Sequence, residues 1–417
     1  MSRDHASDSV ETPYGWAVVA ASFVFITAAY GVAHLLIVSL KPVAAEFDWP
    51  RWVPSMAYSS LKLGAGFGGV LMGHWADRRG IWQPTLMGAL MVGLGAILAS
   101  QANSKWMLLG TCFVLLGLLG TGSAFSPLLT NITRWFDRRR GLAVAVIASG
   151  QGISGALWPM IFNHGVATIG WRLTYMYYGI AAMLVMLPMV LVLRRPPPVE
   201  GSTRGPMTYG VAAVGHLRWS PNILTGLLCI AIVGCCVAMA MPMVHIVAYC
   251  SDLGFGADRG AEMLSLLLAA AFISRLGFGF VSDRIGGLRT ILIGAALQAL
   301  VLSLYAVVDS LFGLYVVSGV YGLVFGGIVP GYALAVRELL PTAQAGWRMG
   351  VVFMFGTFGM ALGGWMGGLV FDLTGLYTVA FIIGVGFNIV NLMAISTLIW
   401  LEAEPADEAI ATAAGSD

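Results

Sequence analysis

Long apolar runs separated by short polar connections fill most of the chain. Backbone N–H and C=O groups in lipid must pair within their own segment, so each run of about 20 or more residues is predicted to be a transmembrane α-helix. The pattern therefore predicts an all-α integral membrane protein with twelve transmembrane helices. The predicted spans are 14–40, 53–75, 83–101, 106–128, 141–168, 173–194, 222–250, 258–281, 288–309, 311–337, 348–372 and 375–401.

The widest polar interruption divides these spans into two sets of six. It extends from Arg195 to Pro221 and contains three consecutive prolines, which favour an irregular connection. We predict four parts with the following boundaries: an N-terminal six-helix half over 1–194, a cytoplasmic central loop over 195–221, a C-terminal six-helix half over 222–401, and a cytoplasmic tail over 402–417.

Composition supports the membrane assignment and excludes other classes of protein. Hydrophobic residues make up 58% of the chain and charged residues only 10%, whereas soluble proteins carry about 25% charged residues. A soluble enzyme and a nucleic-acid binder are therefore excluded. The five cysteines show no metal-ligand spacing. We predict no metal site, no cofactor and no catalytic residues, because no span offers a nucleophile with a neighbouring base.

The distribution of positive charge predicts the orientation of the chain. If both termini are cytoplasmic, 15 of the 22 lysines and arginines fall in cytoplasmic segments, 5 in outer loops and 2 inside spans. Cytoplasmic loops of membrane proteins carry such an excess. The protein is predicted to lie among the lipids of the cell inner (cytoplasmic) membrane, with both termini in the cytoplasm.

Two short loops at equivalent places in the halves carry matching residues. Gly73-His-Trp-Ala-Asp77-Arg78-Arg-Gly80 follows the second span, and Gly279-Phe-Val-Ser-Asp283-Arg284-Ile-Gly286 follows the eighth. Both resemble the signature loops of the major facilitator superfamily, whose transporters rock one six-helix half against the other. The resemblance implies a gate that latches the outward-facing state, formed by Gly73, Asp77, Arg78, Gly279, Asp283 and Arg284. The charge rule alone explains the arginines, but not the paired glycines and aspartates.

Three further stretches narrow the resemblance. They are Tyr14 to Val19 (YGWAVV), Trp135 to Ala143 (WFDRRRGLA) and Gly170 to Arg172 (GWR). Together they resemble the monocarboxylate transporters and their microbial relatives, including oxalate/formate antiporters. In such relatives an arginine of helix eight binds the substrate carboxylate, and many animal members add an aspartate four residues earlier for proton coupling. The matching positions here are Arg275 and Ala271, so proton coupling through that pair is not implied.

Arg275 is also the strongest candidate from the residues alone. A charge inside a span costs about 2.5–3.5 kcal/mol on insertion scales and indicates a functional role by default. No aspartate or glutamate falls near the middle of a predicted span, so Arg275 has no evident partner at its depth. A substrate carboxylate would form a forked pair with its guanidinium. The alternative is an arginine that extends to the interface or caps helix carbonyls.

His34 is the candidate proton carrier. It lies 18 residues after Trp16, where animal relatives carry a lysine implicated in binding protons and substrate, and an unperturbed imidazole titrates near pH 6.5. A satisfied core histidine is an equally acceptable interpretation. Tyr30, one turn before His34, and Tyr321 and Tyr332, on one face of the tenth span, are candidate substrate contacts.

More than one function stays open at this point. The first is proton-coupled symport of a small monocarboxylate, such as L-lactate or pyruvate, by alternating access. The second is oxalate/formate-type antiport, which implies a second cation in helix eleven; residues 351–369 contain none, but Lys62 in the second span could supply it. Lys62 could equally pair with a helix carbonyl. A non-transporting sensor is less favoured, because such a protein is expected to carry a sizeable extramembrane domain.

Overall fold

The computed structural model describes residues 11–132, 134–136, 139–198, 219–340 and 342–414, apart from the side chains at 77, 126, 140, 141, 276, 279, 280, 283, 342–347 and 403–414. The described residues of the first half form eight α-helices, a π-helix and a 3₁₀ turn. They are α1 (Pro13–Ala29), α2 (Gly31–Val38), α3 (Leu40–Phe47), α4 (Trp52–Arg79), α5 (Trp82–Ser100), α6 (Lys105–Gly110), the π-helix (Thr111–Gly120), the 3₁₀ turn (Thr121–Ser123), α7 (Phe125–Ile132) and α8 (Arg140–Leu193).

The second half contains seven α-helices in the described part of the chain. They are α9 (Pro221–Asp252), α10 (Ala257–Ile285), α11 (Gly287–Leu304), α12 (Leu311–Phe325), α13 (Ile328–Leu339), α14 (Thr342–Thr374) and α15 (Tyr377–Ala414). Side-chain caps fix several starts: Thr12 accepts from the Gly15 N–H (3.3 Å) and Ser310 from the Gly313 N–H (3.3 Å).

Within the described residues, 9 helical stretches are long and apolar enough to cross a membrane. One of them, Leu142–Leu193, has 52 residues and holds two predicted spans, while α4 and α10 supply the two more polar ones. The fold class predicted from the sequence, an all-α protein with twelve membrane-crossing helices, is thereby confirmed.

The helices differ from the predicted spans at several points. The tenth span is divided at Gly326 and Gly327 into α12 and α13, so Tyr321 and Tyr332 lie on separate helices rather than on one face of a single helix. The first span is divided at Tyr30 into α1 and α2. The fifth and sixth spans meet at Gly170, whose φ of 81° is open to glycine and turns the chain within α8. The fourth span contains the π-helix. The last helix does not end at residue 401 but continues to Ala414.

The paired loops share a backbone feature that accounts for part of their sequence match. Gly80 follows α4 with a φ of 82°, and Gly286 follows α10 with a φ of 84°. A positive φ directly after the last turn is open to glycine without the steric cost that a Cβ would bring. The repeated glycine thus ends the equivalent helix in each half.

The chain forms two compact units, 1–49 with 56–205 and 50–55 with 206–417. In the second unit, α12 approaches α10 through glycines. A Cβ on Gly322 would lie 2.1 Å from the Leu267 carbonyl oxygen, and one on Gly326 would lie 2.2 Å from that of Ala271. Ser274 donates a hydrogen bond to the Leu323 carbonyl in the same interface. These contacts fix the rotation of α10, which carries Arg275.

Gly326→Val is expected to force α12 away from α10, because the added methyl groups would overlap the backbone of Ala271. We expect a loss of about 1–3 kcal/mol or more in stability, measured as a lower thermal midpoint of the protein in detergent. Gly226→Val is the control, since a Cβ on Gly226 meets nothing within 4 Å. Equal midpoints for the two variants would contradict the close approach.

Candidate functional site

Arg275 lies in α10, inside the second unit. Its Nε atom is buried and has no hydrogen-bond partner, and no hydrogen bond or ion pair joins its guanidinium to another residue that the structure describes. A buried charge without a partner is costly, and an anion that enters its surroundings offsets that cost. The position therefore suits a ligand carboxylate, which would accept two parallel hydrogen bonds from the fork.

Tyr321, on α12, is fully buried and its hydroxyl has protein partners. The hydroxyl donates to the Ala238 carbonyl (2.8 Å) and accepts from Nε2 of Gln298 (3.1 Å). These bonds connect α12 to α9 and α11. A substrate carboxylate only accepts hydrogen bonds, so it would have to displace the bond to Ala238 to use this hydroxyl. The bonds that the structure shows are structural.

Tyr332, on α13, begins a second buried chain of hydrogen bonds. Its hydroxyl donates to Oδ1 of Asn391 (2.8 Å), and Nδ2 of Asn391 donates to Oδ1 of Asn388 (3.0 Å). Asn388 in turn donates to the Ala295 carbonyl (2.7 Å). The chain connects α13, α15 and α11. The sequence offered one signal for it: the two asparagines are three residues apart and so share a helical face.

The first unit brings together Tyr30, His34 and Lys62. His34, on α2, is 8% exposed, and its Nδ1 atom is buried without a hydrogen-bond partner among the described residues. Nζ of Lys62 lies 5.8 Å from the ring centroid of Tyr30 and 5.3 Å from that of Tyr58, within the range of cation–π attraction. Lys62 is also close enough for its charge to act on His34. We call these four residues the lysine cluster.

The predicted gate residues are described only in part. The side chains of Asp77 and Asp283 and the surroundings of Gly279 lie outside the described residues. Arg78 and Arg284 are exposed, and a Cβ on Gly73 would meet nothing within 4 Å. The gate therefore stays a prediction.

Arg51 is the centre of a cluster that the sequence analysis missed. Its guanidinium forms a forked ion pair with Asp252, donates to the Tyr377 hydroxyl (3.1 Å) and lies 3.7 Å from the ring centroid of Phe371. Burial opposes the charge of Arg51, but the hydrogen bonds to Asp252 and Tyr377 outweigh it and raise the pKa of the guanidinium. These residues all belong to the second unit.

The same cluster caps the start of α4. The Asp372 carboxylate accepts from the backbone N–H groups of Arg51 (2.9 Å) and Trp52 (2.7 Å), which satisfies two donors that a helix start leaves unpaired. Each charge lies beside the end of an apolar run, where it resembles an ordinary loop charge. Arg51 and Asp252 are 201 residues apart, and nothing in the sequence pairs them.

Comparison with known protein families places these features in context. The model of the Major Facilitator Superfamily matches residues 18–346 and 226–415. Monocarboxylate transporter 13 of Bos taurus is 27% identical over 399 residues, which is 92% of this chain and 89% of the relative. Monocarboxylate transporter 11 of Mus musculus is 27% identical over 388 residues, 89% of this chain and 84% of the relative.

Solved structures of transporters share the fold at low identity. A peptide transporter variant in complex with sulfate matches with a TM-score of 0.74 at 14% identity, covering 96% of each chain. A bacterial homologue of the human lysosomal transporter Spinster, inward-facing and occupied, matches with a TM-score of 0.70 at 14% identity, covering 94% of this chain and 97% of that one. At such identity the likeness extends to the fold alone.

Proposed function

The chain belongs to the Major Facilitator Superfamily, and we propose that it carries small monocarboxylates of the L-lactate and pyruvate class together with a proton. It is a multi-pass membrane transporter of the monocarboxylate-transporter type rather than an enzyme, as the sequence motifs predicted. Our proposal adds three points to this family assignment: the identity of the substrate, the coupling to a proton, and a location in the inner membrane with cytoplasmic termini.

The main support for the proposal is the environment of Arg275. Its Nε atom is buried, and its guanidinium has no hydrogen-bonded or ionic partner among the residues that the structure describes. A single carboxylate would supply both the missing charge and two acceptors in one plane. Neutralising the guanidinium would also lower the cost of enclosing it, so substrate binding would favour the occluded state. Arg275 is therefore the proposed binding residue for the substrate carboxylate.

The lysine cluster is the proposed place of proton coupling. His34 has a buried Nδ1 without a described partner, and Lys62 is close enough for its charge to act on the ring. A proton on His34 would meet repulsion from Lys62, and an approaching anion would relieve that repulsion. Proton and anion would therefore bind together more readily than either alone. Tyr30 contributes the ring beside Lys62 and a hydroxyl for a hydroxy- or keto-acid.

Exchange of dicarboxylates is the second candidate. An anion with two carboxylates needs two cations, and Arg275 supplies one of them. This candidate predicts that oxalate is exchanged and that a pH gradient has little effect on net uptake. Symport predicts that lactate or pyruvate accumulates when the outside is more acidic.

The experiment that decides between them is uptake into proteoliposomes. Labelled lactate, pyruvate, formate and oxalate are supplied with and without an inward proton gradient, and with and without internal unlabelled anion. Gradient-driven accumulation of lactate or pyruvate supports the proposal. Oxalate uptake that requires an internal anion and ignores the gradient would replace it with the second candidate.

The gate residues carry a separate prediction. Asp77→Asn and Asp283→Asn are expected to shift the population toward the inward-facing state, because loss of the carboxylate charges removes contacts that the resemblance assigns to the outward-facing one. A change of a few kcal/mol turns a minor state into a major one. Alkylation of cysteines introduced on the cytoplasmic side measures the shift, with exposed Asp309→Asn as control. Unchanged alkylation in both variants would count against the latch.

A further inference from the structure

A cavity of about 320 Å³ lies inside the first unit, beside the paired loop that follows α4. Its walls come from the end of α4, the start of α5, α7 and the residues after α8. Neither Arg275 nor any member of the lysine cluster is among its described lining residues. Gly73 of the predicted gate lies in its wall, but the proposed binding of substrate and proton does not use this cavity.

Four arginines line the cavity, and its described lining includes no aspartate or glutamate; they are Arg79, Arg134, Arg194 and Arg195. Like charges around a confined space produce a positive potential that favours an anion. Positive charge near the membrane surface is expected from orientation alone. The more specific indication of an anion site is the way in which neighbouring aromatic rings position two of the guanidinium groups.

Two of these arginines lie against aromatic rings. Cζ of Arg194 is 5.6 Å from the ring centroid of Trp82, and Cζ of Arg195 is 4.8 Å from that of Tyr14. The Tyr14 hydroxyl donates to the Val192 carbonyl (2.7 Å), which fixes the ring. An aromatic ring packed against the face of a guanidinium group leaves the N–H donors at the edge of that group free to form hydrogen bonds in the guanidinium plane. The two forks are thus positioned before a ligand arrives, which lowers the entropic cost of binding.

We propose that this cavity binds a phosphate group, supplied by an anionic phospholipid or by a soluble phosphate. Arginine forks match the oxygens of phosphate in pairs, and a volume near 320 Å³ is at the lower end of the range for small-molecule pockets, about 300–1,000 Å³. Basic pockets between transmembrane helices on the cytoplasmic side take lipid headgroups. The bound group would connect the end of α4 to the end of α8.

The surroundings favour the lipid as the source. Val70 and Leu71 on α4 are 67% and 56% exposed, and Leu191 on α8 is 69% exposed. Val70 and Leu71 lie within one helical turn of the lining residue Gly73, and Leu191 lies within one turn of the lining residue Leu193. Acyl chains would cover such apolar side chains while the headgroup occupies the cavity.

Binding to the full-length protein in an uncharged detergent tests the proposal without reference to transport. Native mass spectrometry and thermal unfolding are measured with phosphatidylglycerol, with phosphatidylcholine, and with inorganic phosphate. We expect phosphatidylglycerol to bind at least about tenfold more tightly than phosphatidylcholine, which has no net charge. Phosphate that binds and displaces the lipid would identify the soluble source, and phosphate without effect would identify the lipid.

The double variant Arg194→Gln/Arg195→Gln should weaken this binding by about tenfold or more, since both charge-assisted forks are lost. Arg194→Lys/Arg195→Lys keeps the charge but not the fork, so its affinity should lie between those of the wild type and the glutamine variant. If the glutamine variant is unstable, the lysine variant provides the test in its place. The matched control, Arg289→Gln/Arg337→Gln, removes two exposed arginines of the second unit and should bind as the wild type does. Wild-type affinity in the glutamine variant, or an equal loss in the control, would overturn the proposal.

Discussion

Arg275→Ala is expected to abolish monocarboxylate uptake at low substrate concentration. The guanidinium has no described protein partner, so its hydrogen bonds are free for the substrate, and no other cation is described beside it to take over. Loss of a forked, charge-assisted pair should cost about 100-fold or more, equivalent to about 3 kcal/mol. Labelled lactate uptake into proteoliposomes at matched protein amounts measures the effect.

Arg275→Lys separates charge from geometry. An ammonium keeps the positive charge but cannot present two parallel N–H donors, so we expect only partial recovery of uptake. Arg289→Ala, an exposed arginine of the same unit, is the control and should transport normally. Wild-type lactate affinity in Arg275→Ala would remove this residue from the site, whatever the outcome for the lysine variant.

The order of the helices could be predicted because lipid allows few alternatives. An apolar run of spanning length must satisfy its backbone internally, so twelve runs implied twelve crossings. The end of α10 could be anticipated from the paired loops, because glycine is suited to the positive φ at Gly286. The division of the first span at Tyr30 and the π-helix over Thr111–Gly120 could not. Both are local departures within uniformly apolar sequence, which carries no signal for them.

The candidate residues were predictable as types but not as neighbours. Charged and titratable side chains inside transmembrane spans are rare, so Arg275, His34 and Lys62 could be identified as candidates from the sequence. Their surroundings depend on the rotation of each helix, and a helix that is apolar all round has no amphipathic face from which to infer it. The sequence therefore left the role of Lys62 open, whereas the structure places its ammonium group near the rings of Tyr30 and Tyr58. For the same reason the internal bonds of Tyr321 and Tyr332 were not foreseen.

His34→Gln tests where the coupled proton is held. With alanine at 271 and no described carboxylate paired to Arg275, the proton must travel on His34, on another buried base, or on the substrate. Glutamine keeps the approximate size and hydrogen bonding of histidine but does not titrate between pH 5 and 8. If His34 carries the proton, the variant should still exchange internal for external lactate, because Arg275 is intact. It should fail to accumulate lactate against a gradient when the outside is acidic.

Two measurements on the same proteoliposomes make this result specific. Exchange is measured at equal pH on both sides, and accumulation is measured across external pH 5 to 8 with a fixed internal pH. His164→Gln is the control, since His164 is exposed on α8 and should behave as the wild type in both. If lactic acid itself carried the proton, accumulation would persist in His34→Gln with an altered apparent affinity. Accumulation by His34→Gln at wild-type levels over the whole pH range would exclude His34, and the coupling proton would then have to enter on the substrate or on another buried base.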